Sequence, residues 1–223
     1  MNSKGVSEFV GSLLVLFVIV SVAGLIYTMS YPTILSGQEN AKMRNAYFDI
    51  FELREKIERV RSGLEFKSTH ILQLQGLSVN FGNEPMVTIN NTRYELSSIK
   101  LIGRGSFVVY ENGAIIVHQN GKTSMTSSPN INYVKETGTL YFPVIKLTTN
   151  LSAGGFGGLT IYLHLKSIKT IVGEGSIVFY SKNADAWEEF FDIIGVDFTR
   201  LGNEIRIQNV KYFAVVYEVE VYG

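Results

Sequence analysis

The chain has 223 residues, in which 20 Lys and Arg balance 20 Asp and Glu, so bulk charge gives no reason to bind nucleic acid or an anionic membrane surface. It has no cysteine, which excludes disulfide frameworks, thiolate catalysis, Cys-ligated zinc and iron–sulfur clusters. Its 21 Gly, 14 Phe and 12 Tyr against 4 Pro suit a β-rich globular body, and the length allows one sizeable domain with an appendage.

The first element is the stretch KGVSEFVGSLLVLFVIVSVAGLIYTM, residues 4–29. After Glu8 no charge occurs as far as Gln38. Phe9 to Met29 is a mostly apolar run which, as a helix rising about 1.5 Å per residue, spans about 30 Å, the thickness of a bilayer's hydrocarbon core. Glu8 stands just before it, where the dipole of a helix N-terminus favours a carboxylate.

A second helical pattern follows Pro32. Met43, Ala46, Ile50, Leu53, Ile57 and Val60 recur at steps of three and four, which predicts an amphipathic stripe. Glu52 with Lys56 and Glu55 with Arg59 form favourable pairs four residues apart, and Gly63 suits the C-terminal cap. Tyr47, Phe48 and Phe51 widen the apolar face, so this half is expected to pack against more than one surface. The two halves together predict one helix of about 50 residues, kinked near Pro32. Its second half also suits an ordinary helix packed on its own domain.

From residue 64 the period changes to alternation. Leu159, Ile161, Leu163 and Leu165 share one face of a strand over 159–166, and Ile205 and Ile207 repeat the pattern over 203–208. Phe107–Tyr110 and Ala114–Val117 flank Glu111-Asn112-Gly113, whose Asn-Gly dipeptide marks a tight hairpin. Further strands are predicted at 68–75, 86–90, 97–102, 139–147, 175–181 and 212–222, with one helix over 184–194 that carries the only tryptophan, Trp187. The fold class is therefore α+β: a long kinked N-terminal α-helix followed by an antiparallel β-rich globular domain of sandwich or barrel type. Residues 6–63 form the helix (hydrophobic over 9–29, amphipathic over 34–62) and residues 64–223 the β-rich domain.

Chemistry-bearing patterns are few. His70, His118 and His164 lie far apart without partners at metal-ligand spacing, so each is read as a structural or solvated histidine. Gly154-Gly155-Phe156-Gly157-Gly158 leads into a strand, whereas a phosphate-cradling loop leads from a strand into a helix, so it is read as a flexible turn. No catalytic constellation, metal site or cofactor motif is found, and no enzymatic role is expected. Asn90-Asn91-Thr92 and Asn150-Leu151-Ser152 fit the N-glycosylation pattern, making Asn90 and Asn150 candidate glycan sites on an extracellular body.

The leader MNSKG, followed at once by Val-Ser-Glu-Phe-Val-Gly-Ser-Leu-Leu-Val, resembles the class III signal peptides of archaeal type IV pilins. The resemblance implies a leader of residues 1–5, cut by a prepilin peptidase between Gly5 and Val6. The apolar segment then stays on the mature chain, with Glu8, Phe9, Leu13, Leu14, Leu16, Phe17, Ile19 and Val20 as assembly residues. More loosely, Val108–Gly113, Thr139–Leu147 and Ala184–Ile194 look like the large C-terminal region of archaeal pilin-like proteins. Glu8 is the third residue after the implied cut, whereas bacterial pilins carry a glutamate at the fifth, so the bacterial salt-bridge role does not transfer directly.

What the resemblance implies is a structural subunit of an extracellular type IV pilus-like filament, resident in the cytoplasmic membrane before assembly. Its partners are then copies of itself, the prepilin peptidase and the assembly machinery, with no nucleic acid. The competing expectation is a membrane-anchored or secreted, adhesin-like surface protein, since Ser21-Val22-Ala23 before Gly24 also suits an ordinary secretory cleavage site.

Overall fold

The structure, a computed structural model, describes the backbone of residues 3–149 and 151–223 and the side chains of residues 10–149, 151 and 153–223. Helix α1 runs from Ser3 to Arg61 and continues through Pro32. Arg59 and Arg61 in its last turn complement the dipole. It closes as a Schellman motif: Leu64 N–H donates to the Arg59 carbonyl (3.0 Å), Gly63 N–H to that of Val60 (3.2 Å), and Gly63 takes φ +76°. A residue with a Cβ pays a steric penalty there, which explains why the helix stops at this glycine.

The chain divides into two compact units, residues 1–41 and 42–223, and α1 contributes to both. In the first unit the apolar side chains from Val10 to Ile34 are exposed. In the second, Met43, Ala46, Ile50, Leu53, Ile57 and Val60 are 0–2% exposed, so the whole stripe expected from the spacing is buried. The broader face is not: Phe48 and Phe51 are 54% and 36% exposed, and Tyr47 alone of the three packs against the core. Within the chain this half of the helix therefore packs through the stripe and Tyr47.

After α1 come β1 (Lys67–Gln73), β2 (Ser78–Gly82), β3 (Met86–Ile89), β4 (Thr92–Glu95), β5 (Ser98–Ile102), β6 (Phe107–Glu111), β7 (Ala114–Gln119), β8 (Lys122–Ser127), β9 (Asn132–Val134), β10 (Thr139–Thr148), β11 (Ser152–Gly154), β12 (Gly158–Tyr180), α2 (Ala184–Ile194), β13 (Thr199–Leu201) and β14 (Glu204–Tyr222). They form two sheets. The larger has the order β4-β3-β12-β14-β10-β9, with β1 paired to β12 and β13 to β14; the smaller has the order β11-β2-β5-β6-β7-β8. Among the described residues the pairs are antiparallel except β10 with β14, which is parallel.

Two apolar cores lie on opposite faces of the smaller sheet. One gathers the α1 stripe, Leu101, Val108, Tyr110, Ile115 and the strand ends at Leu163, Val219 and Val221. The other gathers Val109, Ile116, Trp187, Phe191, Phe179, Ile207 and Ala214. Neighbours such as Val108 and Val109, or Ile115 and Ile116, therefore point into different cores, which is why Phe107–Tyr110 of β6 and Ala114–Val117 of β7 are apolar runs instead of alternating. β10 changes core in the same way between Val144 and Ile145.

Candidate functional site

The sequence directs attention first to the apolar segment of α1. From Val10 to Gln38 there is no charged side chain, and Leu13, Leu14, Leu16, Phe17, Ile19 and Val20 are all more than half exposed. Among the described residues α1 is the one helix long and apolar enough to cross a membrane. Tyr27 and Tyr31 stack at 5.6 Å toward the end of this segment, amphipathic rings of the kind found where an apolar layer meets water. Large contiguous apolar surfaces of this sort mark contacts with lipid or with protein. Gly5, Val6, Glu8 and Phe9 fall within the helical backbone, and their side chains lie outside the described residues.

Of the two glycan candidates, Asn150 lies outside the described residues. Asn90 is held in a bulge. β12 loses register between Gly175 and Ile177, leaving Ser176 without a strand partner, and Asn90 supplies one. Its Oδ1 accepts from Ser176 N–H (3.2 Å) and its own N–H donates to the Ser176 carbonyl (3.2 Å). Its Nδ2 donates to Tyr212 Oη (2.8 Å) and to the Glu174 carbonyl (3.4 Å), so both amide hydrogens are engaged.

The hairpin turn Glu111-Asn112-Gly113 ties three elements together. Glu111, 4% exposed, accepts from Trp187 Nε1 (2.9 Å), Ser181 Oγ (2.8 Å) and Asn183 Nδ2 (2.6 Å), fastening α2 to β6. Burial pushes its carboxyl above the ordinary glutamate range despite these three donors. Asn112, fully buried with φ +47°, acts as a substitute strand partner for β10: its Nδ2 donates to the Pro143 carbonyl (3.0 Å) and its Oδ1 accepts from Ile145 N–H (2.8 Å). β9 reaches only to Tyr141 on that side, which leaves room for Pro143 in the strand. The Gly113 carbonyl accepts from Arg54 Nε of α1 (2.7 Å).

Asn-Gly identifies the hairpin in the sequence, whereas the anchoring roles of Glu111, Asn112 and Arg54 do not follow from that dipeptide. The available signal was a carboxylate at the end of an otherwise apolar strand, in a chain with a single tryptophan to meet it.

The histidines are not brought together. His70 is buried beside α1, where loss of solvent lowers its pKa and Nε2 has no partner. His118 bonds Thr123 Oγ1 through Nδ1 (2.8 Å) and stacks on Phe107 at 5.0 Å, and His164 faces Lys67 and Glu220 on neighbouring strands. Among the described residues no group of three or more acidic or histidine side chains can hold a metal ion. The glycine cluster is partly ordered as a pairing loop: Gly157 and Gly155 carbonyls accept from Leu74 and Gly76 N–H (both 2.9 Å). On α2, Asp185 and Glu188 both pair with Arg200.

A family described as a family of unknown function, DUF7289, matches residues 4–202, a span that takes in the apolar helix and most of the β-rich region. The chain is 28% identical to an uncharacterized protein of Archaeoglobus fulgidus, in an alignment that covers 86% of this chain and 82% of that protein. No solved structure matches the chain.

Proposed function

The chain belongs to the DUF7289 family, and we propose that it is a structural subunit of an extracellular type IV pilus-like filament that polymerises through the apolar part of α1. The observation that carries this reading is the uncharged helix from Val10 onward, whose apolar side chains are exposed along its length while the adjoining unit has closed cores of its own.

Each Leu, Ile, Val or Phe kept in water forgoes about 1.5–3 kcal/mol of burial. A segment with so many of them has two stable environments, a lipid bilayer or a bundle of other apolar helices. A filament core made of its own copies is the second, and membrane residence before assembly is the first. Lys4-Gly5 ahead of Val6, at the position of a class III cleavage site, supports the same reading. Once the leader is removed, Glu8 enters an apolar core and needs a partner, most simply the new α-amino group of Val6 on an adjacent subunit.

Intact-mass and terminal-peptide mass spectrometry of the protein taken from cells that make it tests the reading. A mature chain beginning at Val6 is expected. A start at Gly24 would instead make it a secreted protein, and an intact Met1 a permanently anchored one.

A further inference from the structure

A cavity of about 380 Å³ with mixed polar and apolar walls opens on the smaller sheet, lined by β2, β5, β6 and the residues leading into α2. Its floor follows from strand register. Asn80, Lys100 and Val109 form one rung across β2, β5 and β6, and Gly82, Ser98 and Glu111 form the next rung on the same face. Gly82 keeps the second rung open, since a Cβ there would come 3.1 Å from Ser98 Oγ. Lys182 and Glu84, paired at 3.1 Å, with Asn83, Asn183 and the apolar Ile102 complete the lining.

Lys100 is the group whose needs are unmet. Its Nζ sits 3.4 Å from the centroid of the Phe107 ring, one rung away, and burial disfavours its charged form by more than the negative charge of Glu111 offsets. Among the described residues no carboxylate lies within 4 Å of it. Glu111, diagonally across the rungs, already takes hydrogen bonds from Trp187, Ser181 and Asn183, and Glu84 is held by Lys182. A half-buried ammonium against an aromatic face, with no carboxylate in contact and Glu111 hydrogen-bonded to other donors, is favoured by an anion from outside. Around it stand side-chain amides and a hydroxyl, which both donate and accept and so match vicinal hydroxyl groups. The volume falls within the range of about 300–1,000 Å³ typical of small-molecule sites.

We propose that this cavity binds an acidic sugar, a uronic-acid residue whose carboxylate pairs with Lys100 while its ring hydroxyls meet Asn80, Asn83, Ser98 and Asn183. The inference stands apart from the filament reading, because every residue in it belongs to the folded unit of residues 42–223.

The test is isothermal titration calorimetry on the full chain in a zwitterionic, sugar-free detergent, with glucuronate as probe and glucose and acetate as comparisons. Glucuronate is expected to bind more tightly than either comparison. Lys100→Met is expected to weaken it by about tenfold or more, the scale of one charge-assisted hydrogen bond. Asn80→Asp, which places a carboxylate beside Lys100 in register, is expected to do the same at an exposed position where folding is not at stake. Undetectable glucuronate binding overturns the proposal. Equal binding of acetate would make the cavity a simple anion site, equal binding of glucose would remove Lys100 from recognition, and unchanged affinity in Asn80→Asp would place the sugar elsewhere; each also overturns it.

Discussion

Arg54 of α1 donates from Nε to the carbonyl of Gly113 at 2.7 Å, joining the amphipathic half of the long helix to the tip of the β6–β7 hairpin. Its Nη2 also reaches the Ser128 carbonyl at 3.1 Å, and the side chain is only 12% exposed. Hydrogen bonds from a charged donor contribute about 1.5–3 kcal/mol when partly shielded from water. Arg54→Met keeps much of the aliphatic stem but strands two carbonyls. Denaturant unfolding of the detergent-solubilised chain is expected to show a loss of about 2 kcal/mol at unchanged m-value, whereas a variant as stable as the parent would leave this clamp without energetic weight.

Glu111 offers a pH test. Its carboxyl is held above the ordinary glutamate range because burial outweighs the donors around it. In the pH interval upward from that range the folded state binds more protons than the unfolded chain, so Glu111 makes stability fall as pH rises. Below the ordinary range the group is protonated in both states and adds no slope. Glu111→Gln is expected to remove that component, so that the stability difference between parent and variant changes with pH across the interval. A difference independent of pH would show that Glu111 titrates normally.

Trp187→Phe probes the same anchor from the other side. The ring keeps most of its packing against Phe179 and Phe191, but the indole N–H that Glu111 accepts is lost. A stability loss of about 1–3 kcal/mol is expected in thermal or denaturant unfolding. A neutral result would mean that Ser181 and Asn183 suffice to hold the carboxylate.

At the β12 bulge, Gly175 has φ +156°, and a Cβ there would collide with the Asn90 carboxamide oxygen. Gly175→Ala is therefore expected to destabilise the fold by about 1–3 kcal/mol. Because Asn90 Nδ2 already donates twice, a glycan on it would displace a bond that holds the bulge. Glycopeptide mass spectrometry is expected to find Asn90 unmodified, and substantial occupancy would show that the bulge opens before or during folding.

How much of this was legible in the sequence depends on how one-sided each burial pattern is. The α1 stripe, the α2 helix and the Asn-Gly hairpin each bury one face or demand one turn, and their patterns identify them. β8 (KTSMTS) and β4 (TRYE) are short, polar edge strands whose composition does not differ from a loop's. β12 and β14 each look in the sequence like two shorter strands, 159–166 with 175–181 and 203–208 with 212–222; in β12 the exposed stretch before Gly175 interrupts the alternation, while the backbone pairing with β14 runs on past it. The anchors at Glu111, Asn112 and Asn90 depend on partners 31 to 122 residues away, which no local pattern encodes.

For the filament reading, Leu16→Lys puts a charge in the middle of the exposed apolar surface and is expected to abolish assembly, since an unpaired charge in an apolar core costs several kcal/mol. Glu8→Gln is expected to lower filament yield without preventing membrane insertion. Equal yields from both variants and the parent would separate the apolar segment from assembly.

The most direct measurement is electron microscopy of filaments sheared from cells that make the protein, with the subunit identified by mass. The account predicts filaments built of this chain beginning at Val6, absent from cells carrying Leu16→Lys. Finding the chain only in the membrane fraction or free in the medium, with no filament containing it, would contradict it.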